Sequence, residues 1–110
     1  MKLYHNPRCG KSRCALTLLE GKEFEVVEYL KNPLTAEELK ALINKIGIKP
    51  FDLIRKGEAD FKENYKGKDL SDDEWIAAMV KFPKLMERPI LEKDGKAVVG
   101  RPPEDILGLL

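Results

Sequence analysis

Cys9 sits in the stretch Pro7-Arg8-Cys9-Gly10-Lys11-Ser12-Arg13, with no apolar neighbour beyond the proline. Inert buried cysteines lie inside apolar runs, so this setting argues for a thiol that reacts. If a helix starts at Cys9, the free backbone N–H groups of residues 10 to 13 point at its sulfur. The helix dipole then favours negative charge there. Arg8, Lys11 and Arg13 bring positive charge, and the Ser12 hydroxyl is able to donate a hydrogen bond. Each effect favours thiolate over thiol, and the thiolate is the nucleophile. His5, the sole histidine, stands four residues earlier. It is placed to add positive charge or to shuttle a proton. The chemistry to expect is that of a redox-active nucleophile.

Counting excludes two other readings of the same segment. Gly10-Lys11-Ser12 looks like the end of a phosphate-binding P-loop, but the first glycine of that motif falls on His5. A phosphatase loop of the Cys-x5-Arg form needs arginine at position 15, which is Ala15. His5, Cys9 and Cys14 are the only histidine and cysteine ligands, and a closed zinc site wants four, so no structural metal is expected, and no bound cofactor either. Cys14 is the second cysteine. On a continuous helix it lies about 140° around from Cys9, with Cα atoms about 8 to 9 Å apart, beyond disulfide reach. Flanked by Ala15 and Leu16, it is expected to pack in the core.

The balance of basic residues adds a second clue. The chain has fifteen lysines but only five arginines, Arg8, Arg13, Arg55, Arg88 and Arg101. A planar guanidinium fork suits oxyanions as an ammonium does not. Two of the five flank Cys9, and two stand immediately before prolines, at Arg88-Pro89 and Arg101-Pro102.

The elements that must position these groups read as α/β. Lys2-Leu3-Tyr4-His5 is a short strand, cut off by Asn6-Pro7. A helix from about Lys11 to Leu19 ends at Gly21, and 24–30 reads as a second strand. Strand, helix, strand makes a βαβ unit with parallel strands, and His5 lies at the carboxyl end where ligands approach such sheets. After Asn32-Pro33 come helical stretches. Thr35 with Glu38 and Ser71 with Glu74 form two capping boxes, and Pro50 opens a short helix between them. Residues 58 to 70 are polar and show no clear pattern. Near the end, 89–93 and 96–99 flank Asp94-Gly95, a strong hairpin signal. A last helix follows Pro102-Pro103, carrying Ile106, Leu107, Leu109 and Leu110.

At 110 residues with 43% hydrophobic and 35% charged, this is one globular domain. The net charge of +1 gives no reason to expect nucleic acid or an anionic membrane as partner. No apolar run approaches membrane-spanning length, and the opening residues do not form a secretory signal, so a cytoplasmic monomer is expected.

The segment His5-Asn6-Pro7-Arg8-Cys9-Gly10-Lys11-Ser12-Arg13 closely resembles the catalytic segment of the glutaredoxin-linked arsenate reductase family. Leu53-Ile54-Arg55-Lys56, Glu87-Arg88-Pro89-Ile90 and Gly100-Arg101-Pro102-Pro103-Glu104 resemble its later motifs, in order. The resemblance implies a single 1–110 domain with a thioredoxin-like core (β-α-β … β-β-α) over about 1–31 and 84–110. A helical insertion would occupy about 33–83. It implies that Cys9 attacks arsenate held by Arg55, Arg88 and Arg101, with His5 and Ser12 supporting the thiolate and Arg8, Lys11, Arg13 and Pro89 in supporting places. Glutathione is the implied co-substrate and glutaredoxin the implied partner, and Pro89 should be cis. Two alternatives stand beside this. One is a glutathione-dependent thiol/disulfide reductase with another substrate. The other is a redox regulator of a related branch that binds RNA polymerase and carries a C-x-x-C switch, which is absent here because position 12 is Ser12.

Overall fold

A computed structural model describes all 110 residues. They divide into two compact units, one built from residues 1–32 and 88–110, the other from 33–87.

The first unit is a four-stranded sheet in the order β2-β1-β3-β4. Strand β1, Lys2–Tyr4, pairs parallel with β2, Glu25–Val27, and antiparallel with β3, Ile90–Lys93. Helix α1, Gly10–Leu18, makes the β1-to-β2 crossover, as the βαβ reading requires. Strand β4, Lys96–Val99, returns from β3 through Asp94-Gly95. Both turn residues have positive φ, +50° and +78°, the combination that a type I′ hairpin needs. Strand β2 is shorter than the apolar run around it, because the Tyr29 N–H turns back onto the Val27 carbonyl at 3.1 Å. Leu3, Ala15, Leu19, Leu91 and Ile106 form a core excluded from solvent, with Met1, Leu16, Leu18, Phe24, Val98 and Leu109 packed around it.

Two sequence expectations in this unit need correction. Cys14 is exposed, not buried. Ser12, Ala15 and Leu19 are the fully buried side chains of this segment, and Cys14 lies about 130° around the helix from the centre of that stripe. The apolar residues beside it in sequence therefore do not share its face. The final helix, Pro103–Leu109, is 3₁₀ rather than α. Its three-residue period puts Pro103 and Ile106 inside, with Leu109 partly covered, and turns Leu107 and Leu110 outward.

The second unit is helical. It contains α2 (Ala36–Ile46), a 3₁₀ turn at Pro50–Leu53, α3 (Ala59–Asn64), α4 (Asp72–Lys81) and a 3₁₀ turn at Pro83–Leu85. Both capping boxes are present: Thr35 Oγ1 accepts from Glu38 N–H, Ser71 Oγ from Glu74 N–H, and each glutamate accepts in return. Trp75 is the hub of the aromatic packing, with ring centroids of Phe51, Tyr65 and Phe61 at 5.0, 5.9 and 6.2 Å. The polar stretch 58–70 supplies Phe61 and Tyr65 to that cluster through the short helix α3. The unit runs to Glu87 because Ile54 bridges Met86, Arg55 N–H donates to the Leu85 carbonyl and Glu87 N–H to that of Leu53. Residues 84–87, which the sequence places with the sheet, therefore group with the helices. No helix is long and apolar enough to cross a membrane.

Candidate active site

Strand β1 ends at Tyr4, and His5 still donates its N–H to the Val27 carbonyl at 2.9 Å, continuing the parallel ladder. The chain then turns through Asn6-Pro7-Arg8. Cys9 N–H bonds back to the Asn6 carbonyl at 3.0 Å, and Arg8 N–H to Asn6 Oδ1 at 3.0 Å. Cys9 is the N-cap of α1, with extended backbone and no side-chain hydrogen bond of the capping kind. The orphan donors of the first turn are thereby left to face its sulfur.

Burial pushes the Cys9 thiol up, but opposing effects prevail. The backbone N–H groups of Ser12 and Lys11 face the sulfur and favour its anion, and the Arg88 guanidinium adds its charge and a hydrogen bond. The result is a thiol lowered from 9.0 to about 7. Ser12 thus acts through its backbone. Its fully buried hydroxyl instead accepts from Asn6 N–H, at 3.4 Å. The cation acting on the sulfur is Arg88, from the far end of the chain. The side chains of Arg8, Lys11 and Arg13 are exposed, where water and salt screen them. Arg13 donates Nη1 to the Pro7 carbonyl at 3.2 Å.

His5 is buried, and its Nδ1 makes no hydrogen bond. Burial pulls its pKa below 6.5, and Arg13 pulls the same way, against Glu28 and a backbone hydrogen bond with Ser12. It is therefore neutral at neutral pH, a base rather than the extra cation its position allowed for.

Arg88 is nine-tenths buried, and the Arg88–Pro89 bond is cis, as the resemblance implies. Arg101 donates Nε to the Arg88 carbonyl at 3.0 Å, and Arg101–Pro102 is also cis. Gly100 lies between these features. A Cβ added there would sit 3.0 Å from both Pro89 Cγ and Ile106 Cγ2, so the position admits only glycine without displacement. The sheet unit thus gathers Cys9, Ser12, Lys11 N–H, Arg88 and Arg101. Arg55 belongs to the helical unit, where its guanidinium lies 3.8 Å from Glu58 Oε2 and 3.9 Å from Glu87 Oε1.

Sequence reasoning passed over Asn6 and Gly100. The Asn-Pro dipeptide was the available signal for the first, since asparagine before a turn accepts a backbone N–H two residues on. For Gly100 there was none, because its crowding comes from residues distant in sequence.

Comparison with known proteins agrees with this geometry. Residues 4–109 match the model of the ArsC family. YfgD of Escherichia coli (strain K12) is 47% identical, with 100% of this chain and 96% of the relative covered. An arsenate reductase of Neisseria meningitidis is 43% identical, covering 100% and 97%. Among solved structures, the arsenate reductase from Vibrio cholerae superposes with a TM-score of 0.94 at 44% identity, covering 100% of this chain and 98% of that one. With a match along nearly its whole length, in sequence and in backbone, this chain belongs to the ArsC family and has the thioredoxin-like fold of its arsenate reductases.

Proposed function

We propose that this protein reduces arsenate to arsenite through a covalent adduct on Cys9, with glutathione and glutaredoxin as the reductants. The observation that carries the reading is the Cys9 thiol, lowered to about 7 at the start of α1 with Arg88 against it. That arrangement pairs a nucleophile available at neutral pH with an oxyanion-binding fork.

The reaction balances as follows. The Cys9 thiolate attacks arsenic(V) and an arsenate oxygen leaves as water, forming a sulfur–arsenic bond. A glutathione thiolate then attacks the Cys9 sulfur, and the sulfur–arsenic bonding pair stays on arsenic, which departs as arsenite. Cys9 is left as a mixed disulfide with glutathione. A glutaredoxin thiolate takes the glutathione and returns Cys9 as thiolate. Arg55, Arg88 and Arg101 are the proposed oxyanion ligands, the role the resemblance gives them. Neutral His5 is proposed to support the thiolate as the base that takes the Cys9 thiol proton, while the proton that lets the oxygen leave as water comes from solvent. Ser12 is proposed to support the thiolate through its backbone donor.

The deciding experiment is arsenate reduction in the presence of glutathione and glutaredoxin, by the wild type and by Cys9→Ser. Arsenite should form with the first and not the second. Failure of the wild type to form arsenite rejects the proposal, and undiminished activity in Cys9→Ser rejects the nucleophile.

A further inference from the structure

Asn6 commits three polar groups to the turn that delivers Cys9. Its N–H donates to Ser12 Oγ, its backbone carbonyl accepts the Cys9 N–H, and its side-chain Oδ1 accepts the Arg8 N–H, at 3.4, 3.0 and 3.0 Å. Asn6 is buried, and Ser12 fully so. Pro7 has no N–H to offer, so Arg8 and Cys9 carry the only backbone donors between Asn6 and α1, and Asn6 accepts both. From the helix side, Ser12 Oγ holds the Asn6 backbone. Arg13 Nη1 also reaches this turn, at the Pro7 carbonyl, but from an exposed side chain, so the buried Asn6 is the residue that sets where the sulfur stands relative to the Lys11 and Ser12 donors.

We infer that Asn6 is a positioning residue, whose side chain locks the turn so that the first-turn N–H groups of α1 bear on the Cys9 sulfur. The inference rests on Cys9 being the nucleophile. It concerns how the thiolate is made, not what it attacks. Without the amide, Arg8 N–H loses its acceptor in a half-buried place, and the turn gains freedom that lets the sulfur leave its donors. Their stabilisation is steep in distance and angle, so the effect appears first in the acidity of the thiol.

The test is the pH profile of Cys9 alkylation by iodoacetamide, followed by mass mapping of the Cys9 peptide in folded wild type, Asn6→Ala and Asn6→Ser. Thermal melts run in parallel. The wild-type midpoint should lie at about 7. For Asn6→Ala the midpoint should rise by about one unit, which slows alkylation at neutral pH roughly fivefold. Asn6→Ser keeps a weaker acceptor for the N–H two residues on and should recover part of the shift. A folded Asn6→Ala whose profile superimposes on the wild type overturns the inference. Should Asn6→Ala not fold, Asn6→Ser decides: a raised midpoint supports the role and a coincident one removes it. Wild-type Cys9 that reacts only at alkaline pH would instead reject the nucleophile itself, so the two failures are distinguishable without an arsenate assay.

Discussion

Arg101 donates its Nε–H to the backbone carbonyl of Arg88, 3.0 Å away. One arginine thus fixes the peptide from which the other reaches the Cys9 sulfur, and the two do not act independently. Arg101→Met keeps much of the stem and removes every donor. It should cost about 1 kcal/mol of stability, the worth of a hydrogen bond, and should also raise the Cys9 midpoint by releasing Arg88. In a double-mutant cycle with Arg88→Met, the combined effect on Cys9 reactivity should fall short of the sum. Strict additivity would show the carbonyl contact to be without consequence.

Charge alone should not rescue the proposed anion site. Arg88→Lys retains a cation but loses the planar fork, so arsenate turnover should drop by at least tenfold with little change in melting temperature. Arg55→Lys tests the third arginine in the same assay. Unchanged kinetics in both variants would argue that these arginines serve ordinary ion pairs.

Stability should also depend on the state of Cys9. Its thiol is lowered from 9.0 to about 7 on folding, so between those values the unfolded chain binds more protons than the folded one. Stability contributed by the thiolate is complete above pH 9 and is lost as pH falls through 7. The melting temperature of the wild type should gain an increment between pH 7 and pH 9 that Cys9→Ser lacks. His5 works in the same sense at lower pH: its pKa is depressed, chiefly by burial, so stability should fall as pH drops below 6.5.

Gly100→Ala should destabilise the sheet unit by about 1–3 kcal/mol, the cost of overpacking. The new methyl would press on Pro89 and Ile106, both buried within the unit. A melting temperature within a degree of wild type would mean that the two side chains yield freely.

Cys14 should react with alkylating agents in the native protein, since α1 turns it to solvent. Protection of Cys14 until denaturation would contradict the helix orientation.

Much of this was legible in the sequence for a physical reason: the strongest signals are local. The capping boxes at Thr35 and Ser71, the positive-φ turn at Asp94-Gly95 and the helix start at Cys9 each depend on residues within a few positions of one another. What was not legible depends on period or on distance. Helical period hid the exposure of Cys14, and the 3₁₀ period of the last helix decides which of its leucines face outward. Arg88, rather than the adjacent Arg8 or Arg13, supplies the charge on Cys9, and only the sheet brings residues 79 positions apart together. Phe61 and Tyr65 were lost in a polar stretch because short helices carry too few turns to show a stripe.

The order of the strands in the sheet has a consequence for synthesis. Strand β3 lies between β1 and β4, yet it leaves the ribosome after residues 33–87 have done so. The nascent chain can fold its contiguous helical unit while β1 still waits for a partner on that side. Cys9 meets the donors of α1 early, but Arg88 arrives only with the last quarter of the chain. Throughout translation the thiol therefore lacks its cation, and the nascent protein is spared a fully reactive sulfur until the sheet is closed.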